Sequence, residues 1–158
     1  MKVVEFAPHY QKAVVALILA VQNDEFGLGL SLDEQPDLIN IFDSYNAAGG
    51  MFWVALGDEG DIVGTIGVVN LGGGIGVLKK FFVRPDYRTR KVGLALYQAL
   101  ETFCEKAGFT TLILDTPSIA HDSHRFYERN GFRRIAAEEL PVSYTYPDRD
   151  SLLYLKRL

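Results

Sequence analysis

The chain has 158 residues, 48% apolar and 23% charged, with a formal net charge of −4, which suits one soluble domain with a sizeable core. The acidic balance argues against a general nucleic-acid binder, whose surfaces are usually basic. Cys104 is the only cysteine, so no intrachain disulfide can form and an intracellular, cytoplasmic setting is expected.

The opening MKVVEFAPHY lacks a long apolar run, and no signal peptide or membrane anchor is expected. Residues 2–7 (KVVEFA) read as a strand. Pro8 then opens a helix to about Gln22, whose apolar stretch AVVALILAV is too short to span a bilayer and reads as buried. Residues 23–31 (NDEFGLGLS) read as a loop. Asp33 caps a second helix to about Ala48, with Leu38, Ile41, Phe42 and Tyr45 at helical spacing and Gly49-Gly50 as its stop.

MFWVALG (51–57) reads as a strand with Trp53 in the core, DEGD (58–61) as a hairpin turn, and IVGTIGVVN (62–70) as the next strand. LGGGIG (71–76) is a second turn; no helix follows its glycines, so it is not a nucleotide loop. Leu78 to Val83 is a strand, Arg84 to Lys91 a basic loop, and a helix runs from near Val92 to about Gly108. TLILD (111–115) reads as a short buried strand and 119–130 as a helix ended by a left-handed cap at Asn130-Gly131. FRRIA and SLLYLKRL are the last two strands. The tract AAEELP (136–141) and the VSYTYPDRDS after it read as a loop near the site's mouth or a dimer contact. With no linker or repeat, this is one domain over residues 1–158, an α/β (α+β mixed) sandwich with hairpins in its first half and βαβ crossovers in its second.

The most informative stretch is LKKFFVRPDYRTRKVGLALYQAL (78–100). Between positions 79 and 91 it carries six cations (Lys79, Lys80, Arg84, Arg88, Arg90, Lys91) against one anion, Asp86. A basic loop feeding a helix start favours a phosphate group, because first-turn N–H groups point outward and the helix dipole is positive there. Val92, Leu96, Ala99, Leu100 and Phe103 share one face of the helix and pin it to the sheet. Amides from Arg88 to Gly93 can then converge on a diphosphate, with Arg88, Arg90 and Lys91 as counter-charge. The alternative is a basic turn that only solvates the surface.

The run Val83-Arg-Pro-Asp-Tyr-Arg88-Thr-Arg-Lys-Val-Gly93, followed by Ala95-Leu96, resembles the R-x-x-G-x-G/A motif of the GNAT superfamily of N-acetyltransferases. It departs from that pattern at Lys91, where glycine is usual. A second register, Arg90 to Ala95, also fits but sits two residues late after the Val-x-Pro-x-Tyr-Arg lead-in. FYERNGF (126–132) is similar to the family's second motif, a Tyr four residues before Gly-Phe, and the separation from Gly93 to Tyr127 fits a helix, strand and helix. The resemblance covers essentially the whole chain. It implies a three-layer sandwich with a mostly antiparallel sheet of about seven strands flanked by four helices.

It also implies acetyl-coenzyme A as co-substrate. The phosphates would meet Arg88, Thr89, Arg90, Lys91, Val92 and Gly93, and the pantetheine amides would meet the strand edge at Phe81, Phe82 and Val83. That strand would splay from the one at Thr111 to Asp115, leaving backbone N–H groups for the thioester carbonyl. Tyr127 shares a helix face with Ile119, Ser123 and Phe126 and so points inward; the resemblance makes its phenol the general acid for the departing thiolate. Ser123 would touch the pantetheine arm or let the helix approach. Ala120 stands where the family often has Asn, moving one contact to Asp122 or Ser123.

For a base toward the amine the candidates are Glu25, ranked first, then Asp24, Asp33 and Asp115, with His124 a minor one. Phe26 and Tyr146 line an acceptor pocket or belong to the core. His9, His121 and His124 read as surface residues and Cys104 as a boundary residue without a catalytic partner; their spacing supports no metal site. The expected activity is direct acetyl transfer to a small-molecule amine or a protein amino group, with no metal, nucleic acid or membrane involved. The acidic remainder of the surface favours cationic acceptors. The alternatives are a non-catalytic acyl-CoA-binding module, which needs no Tyr127, and a nucleotide-binding α/β protein.

Overall fold

The computed structural model describes residues 1–146 and 150–158. Its core is a seven-stranded sheet built from β1 (Lys2–Glu5), β2 (Met51–Leu56), β3 (Ile62–Asn70), β4 (Ile75–Val83), β5 (Thr111–Pro117), β6 (Arg133–Ile135) and β7 (Ser151–Arg157). The spatial order is β1-β2-β3-β4-β5-β7-β6. Every neighbouring pair is antiparallel except β4–β5, which is parallel. The second βαβ crossover expected from sequence does not deliver an adjacent parallel partner. β7 lies between β5 and β6, because its alternating Leu153 and Leu155 join the same apolar cluster as Ile113 and Ile135.

Strand alternation sorts the core onto two faces. On one, α2 (Val92–Ala107) and α3 (His121–Arg129) cover Leu78, Leu112, Leu114 and Tyr154. On the other, α1 (Gln11–Leu19) brings Val14 and Ile18 onto Phe52 and Val54, together with Leu38, Ile41 and Tyr45. Val77, Ile113 and Leu153 continue that second face under Leu140, Val142, Tyr144 and Tyr146. α2 begins at Val92 and stops at Gly108, whose φ of 89° is the left-handed cap, and Trp53 is buried against Phe103.

Several elements differ from the sequence reading. The first helical run continues past Gln22 as a π-helical turn over Ala20–Glu25, so Glu25 ends a helix instead of lying in a loop. The second helix is two short turns, Pro36–Leu38 and Phe42–Asn46, because Pro36 offers no N–H and crowds the preceding turn. Asp33 makes no capping bond among the described residues; Ser31 and Glu34 cap each other instead, Glu34 N–H donating to Ser31 Oγ at 3.3 Å and Ser31 N–H to Glu34 Oε1 at 3.2 Å. Phe42 is exposed while Leu38, Ile41 and Tyr45 are buried.

β4 starts at Ile75, since Ile75 to Val77 pair with Thr111 to Ile113. α3 starts at His121, which leaves Ile119 exposed in the preceding turn. His124 is not a surface residue: it is buried, with Nε2 2.9 Å from the Pro117 carbonyl. Cys104 is fully buried, because it follows Leu96 and Leu100 on the core face of α2. Positions 147–149, within the tract read as a loop or dimer contact, lie outside the described residues.

Candidate active site

The two halves of the sheet meet at β4–β5, and only three residue pairs join them: Ile75–Thr111, Gly76–Leu112 and Val77–Ile113. Beyond Val77 no residue of β4 pairs with β5, so an opening lies between the strands. A bulge accounts for it. The β3 register jumps from Thr65 opposite Phe82 to Gly67 opposite Lys79, Lys80 takes a left-handed φ of 55°, and Thr65 Oγ1 donates to the Lys80 carbonyl at 2.7 Å. A bulge bends and twists its strand. Neither Gly nor Pro marks it, and a left-handed lysine costs about 1–2 kcal/mol, which surrounding contacts must offset.

The carbonyls of Lys80 and Phe82 turn toward β3. That of Val83 turns the other way and accepts Arg88 Nε–H at 2.9 Å. By alternation Phe81 faces the opening as Val83 does, whereas the Phe82 side chain packs against the α1 face.

The start of α2 lies beside this edge. Among the described residues, the N–H groups of Thr89, Lys91, Val92, Gly93 and Leu94 have no acceptor; the first partnered amide of the helix is that of Ala95, bonded to the Lys91 carbonyl at 3.2 Å. Val92 is fully buried and anchors the turn. A Cβ built on Gly93 would come no closer than 3.5 Å to the Phe81 ring, so the fold does not demand glycine there; its absent side chain leaves the amides open. A convergent set of free amides fits a phosphate group. Lys91 has φ 59° and ψ 24°, which explains why the motif favours glycine at this position.

The arginines are already engaged. Arg84 Nη1 donates to Asp61 at 2.6 Å and its Nε to Asp86 at 2.7 Å, and both carboxyls are held below the usual carboxylate range by these hydrogen bonds. Arg90 lies 4.4 Å above the Tyr87 ring and pairs with Asp58 at 3.3 Å. Arg88 is bound through both terminal nitrogens by Glu25, which ties the end of the first helical run to the basic loop. Lys91 makes no ion pair among the described residues and is exposed.

Tyr127 lies on the α2/α3 side of the opening, its ring 6.2 Å from Phe81, 5.6 Å from Phe132 and 5.9 Å from Tyr154. The residue is 5% exposed, and no hydrogen bond is made by its hydroxyl among the described residues. Burial, with the negative charge of Asp115, pushes its pKa well above the ordinary phenol value, so the hydroxyl holds its proton at neutral pH. Ser123 is half-buried on the same helix, and Asp122 is an exposed partner of Arg125.

Asp115 lies on the opposite face, two residues past the last β4–β5 pair, and accepts the Tyr144 hydroxyl at 3.0 Å. Burial raises its pKa despite the opposing influence of Tyr144, Lys79 and Lys80. Lys80 reaches Asp37 at 3.6 Å, and Tyr45 donates to the same carboxylate at 2.5 Å. Nothing in the spacing announced this Lys80–Asp37–Tyr45 group, which depends on the bulge. Phe81, Val83, Gly93 and Tyr127 therefore gather at one opening. Asp24 and Asp33 are exposed and make none of these contacts, and Phe26 and Tyr146 are half-buried.

The model of the Acetyltransferase (GNAT) family matches residues 15–132. An N-acetyltransferase of Schizosaccharomyces pombe, itself uncharacterised, is 32% identical over 111 residues, which cover 69% of this chain and 68% of that protein. A GNAT-family acetyltransferase structure from Staphylococcus aureus superposes with a TM-score of 0.95 at 34% identity, covering 99% of this chain and 98% of the other. An acetyltransferase structure from Streptococcus agalactiae does so with a TM-score of 0.93 at 37% identity, with coverages of 99% and 98%.

Proposed function

Because the chain belongs to the acetyltransferase (GNAT) family, which transfers acetyl groups from acetyl-coenzyme A, we propose that its β4–β5 opening is the transfer site and that the acceptor is a primary amine attacked directly within a ternary complex. The observation that carries this reading is the meeting of three unsatisfied features at one place: the free amides of Thr89 and of residues 91–94, the unpaired edge of β4, and the unpartnered hydroxyl of Tyr127.

When bound, acetyl-coenzyme A supplies the activated acetyl thioester. The amides at the start of α2, with Lys91, neutralise phosphate. The backbone groups of Phe81 and Val83 pair with an amide chain as a neighbouring strand would. Tyr127 keeps its proton and offers it to the departing sulfur, and its aromatic neighbours exclude water. Asp115 accepts a proton from the amine, directly or through one water, on the face opposite Tyr127. Glu25, first in rank from sequence, is bound to Arg88, which speaks for Asp115 as the base and for Glu25 as a partner that competes for Arg88. Direct transfer is supported by the state of the one cysteine, a nucleophile that could otherwise carry the acetyl group. Cys104 is fully buried and burial pushes its thiol up to about 12.

Calorimetry with acetyl-coenzyme A tests the site. Gly93→Asp places a carboxylate among the free amides with no clash and suits a helix start, so it should fold normally and weaken binding by at least about tenfold. Tyr127→Phe should keep binding and lower turnover about 100-fold. If wild-type protein does not bind acetyl-coenzyme A, the site assignment fails. If Tyr127→Phe turns over normally, the general-acid role fails.

A further inference from the structure

The bulge in β4 has a second effect. It lets two consecutive lysines serve one face of the sheet, where alternation would turn them to opposite faces. Lys80 is committed there to Asp37 at 3.6 Å. Lys79 has no ion-pair or hydrogen-bond partner among the described residues and is half-exposed. Val77 and Ile113 are the last partners of the parallel pair and lie on the same face, in one apolar cluster. Lys79 follows Val77 by two residues and Asp115 follows Ile113 by two. They therefore face each other across the opening, on the side away from Tyr127. The two charges feel each other without closing into an ion pair. Tyr144 and Tyr146, with ring centroids 5.3 Å apart, wall the same face.

A separated cation and anion beside an aromatic wall complement a molecule that carries both charges. An amine without an acid group would satisfy Asp115 and leave Lys79 unmatched. Resting on the reading that this opening is the transfer site, we infer that the acceptor is an amine that also bears a carboxylate, and that Lys79 is the specificity-determining residue that binds the carboxylate while Asp115 receives the amine. The mouth is thus selective in a sense opposite to the acidic bulk surface, which favours purely cationic acceptors.

The test is thiol release from acetyl-coenzyme A with matched acceptors: α-amino acids, γ-aminobutyrate, the C-amide of each, and simple diamines. Wild-type protein should favour acids over their amides by at least about tenfold in kcat/KM, which is the worth of one shielded charged contact. Lys79→Met should reduce that preference below about threefold, chiefly by raising KM for the acids. Lys79→Glu should reverse it toward amides and diamines. Retention of the acid preference in Lys79→Met, or turnover indifferent to the acid group in wild-type protein, overturns the inference and leaves the transfer site standing. Absence of thiol release with every amine overturns the transfer site itself.

Discussion

Lys91 is where the backbone and the side chain disagree, and Lys91→Gly measures that disagreement. With φ at 59°, the lysine Cβ crowds the next carbonyl at a cost of about 1–2 kcal/mol. Glycine removes the clash but adds unfolded-state entropy worth about 0.4–1 kcal/mol. The position is also the N-cap of α2 without a side-chain cap bond, where glycine is among the accepted residues. The net expectation is about 0.5–1 kcal/mol of added stability. At about 2.1 cal/mol/K of unfolding entropy per residue, 158 residues convert 1 kcal/mol into about 3 °C, so differential scanning calorimetry should show a Tm rise of about 1.5–3 °C. Lys91→Ala keeps the Cβ and the strain, and should move Tm by less than about 1 °C. A fall in Tm for the glycine variant, or an equal rise for the alanine variant, would refute the argument from φ, because charge removal is common to both.

Glu25→Gln should release Arg88 and tighten acetyl-coenzyme A binding about two- to fivefold at low salt, the worth of one partly exposed ion pair; a large loss of turnover with unchanged affinity would instead make Glu25 the base. Cys104 should resist a thiol reagent such as DTNB at pH 7 until the protein unfolds, since its thiol is pushed up to about 12 and fully buried; prompt labelling of native protein would contradict that packing. Asp61 and Asp86 have lowered folded pKa values through Arg84, so their contribution is present above about pH 4 and is lost as pH falls through those lowered values. Acid unfolding of Arg84→Gln should therefore be less steep below about pH 4, while the raised Asp115 acts with the opposite sign in both proteins. Parallel acid limbs for the two would show that Arg84 does not set the carboxyl pKa values.

What could be read in advance was local. The start of α2 was legible because Val92, Leu96 and Leu100 repeat at helical spacing behind a basic loop, and all are buried. Even the departure at Lys91 could be located, and the left-handed backbone there supplies its reason. The opposite failure came at Pro36, a visible breaker that apolar periodicity overrode in the reading of residues 33–48. Cys104 continues the Leu96, Leu100 repeat and was within reach of the same periodicity. Other features had no local signal. The bulge at Lys80 depends on register with β3 and on Thr65 Oγ1, and the insertion of β7 between β5 and β6 depends on pairing over long separations. Lys80 reaches Asp37, and Lys79 shares that face with it, only through the bulge.

The three residue pairs between β4 and β5 also have a mechanical meaning. They are the seam of the sheet, joining a four-stranded half to a three-stranded half. Motion between the two halves concentrates where few bonds join them, so amide exchange should be faster along this line than within β2–β3 or β5–β7. Any occupant whose amides hydrogen-bond the free edge of β4 extends the sheet from within. The protein carries its functional opening along the seam between its two halves, and occupancy there stiffens the join between them in place of one loop.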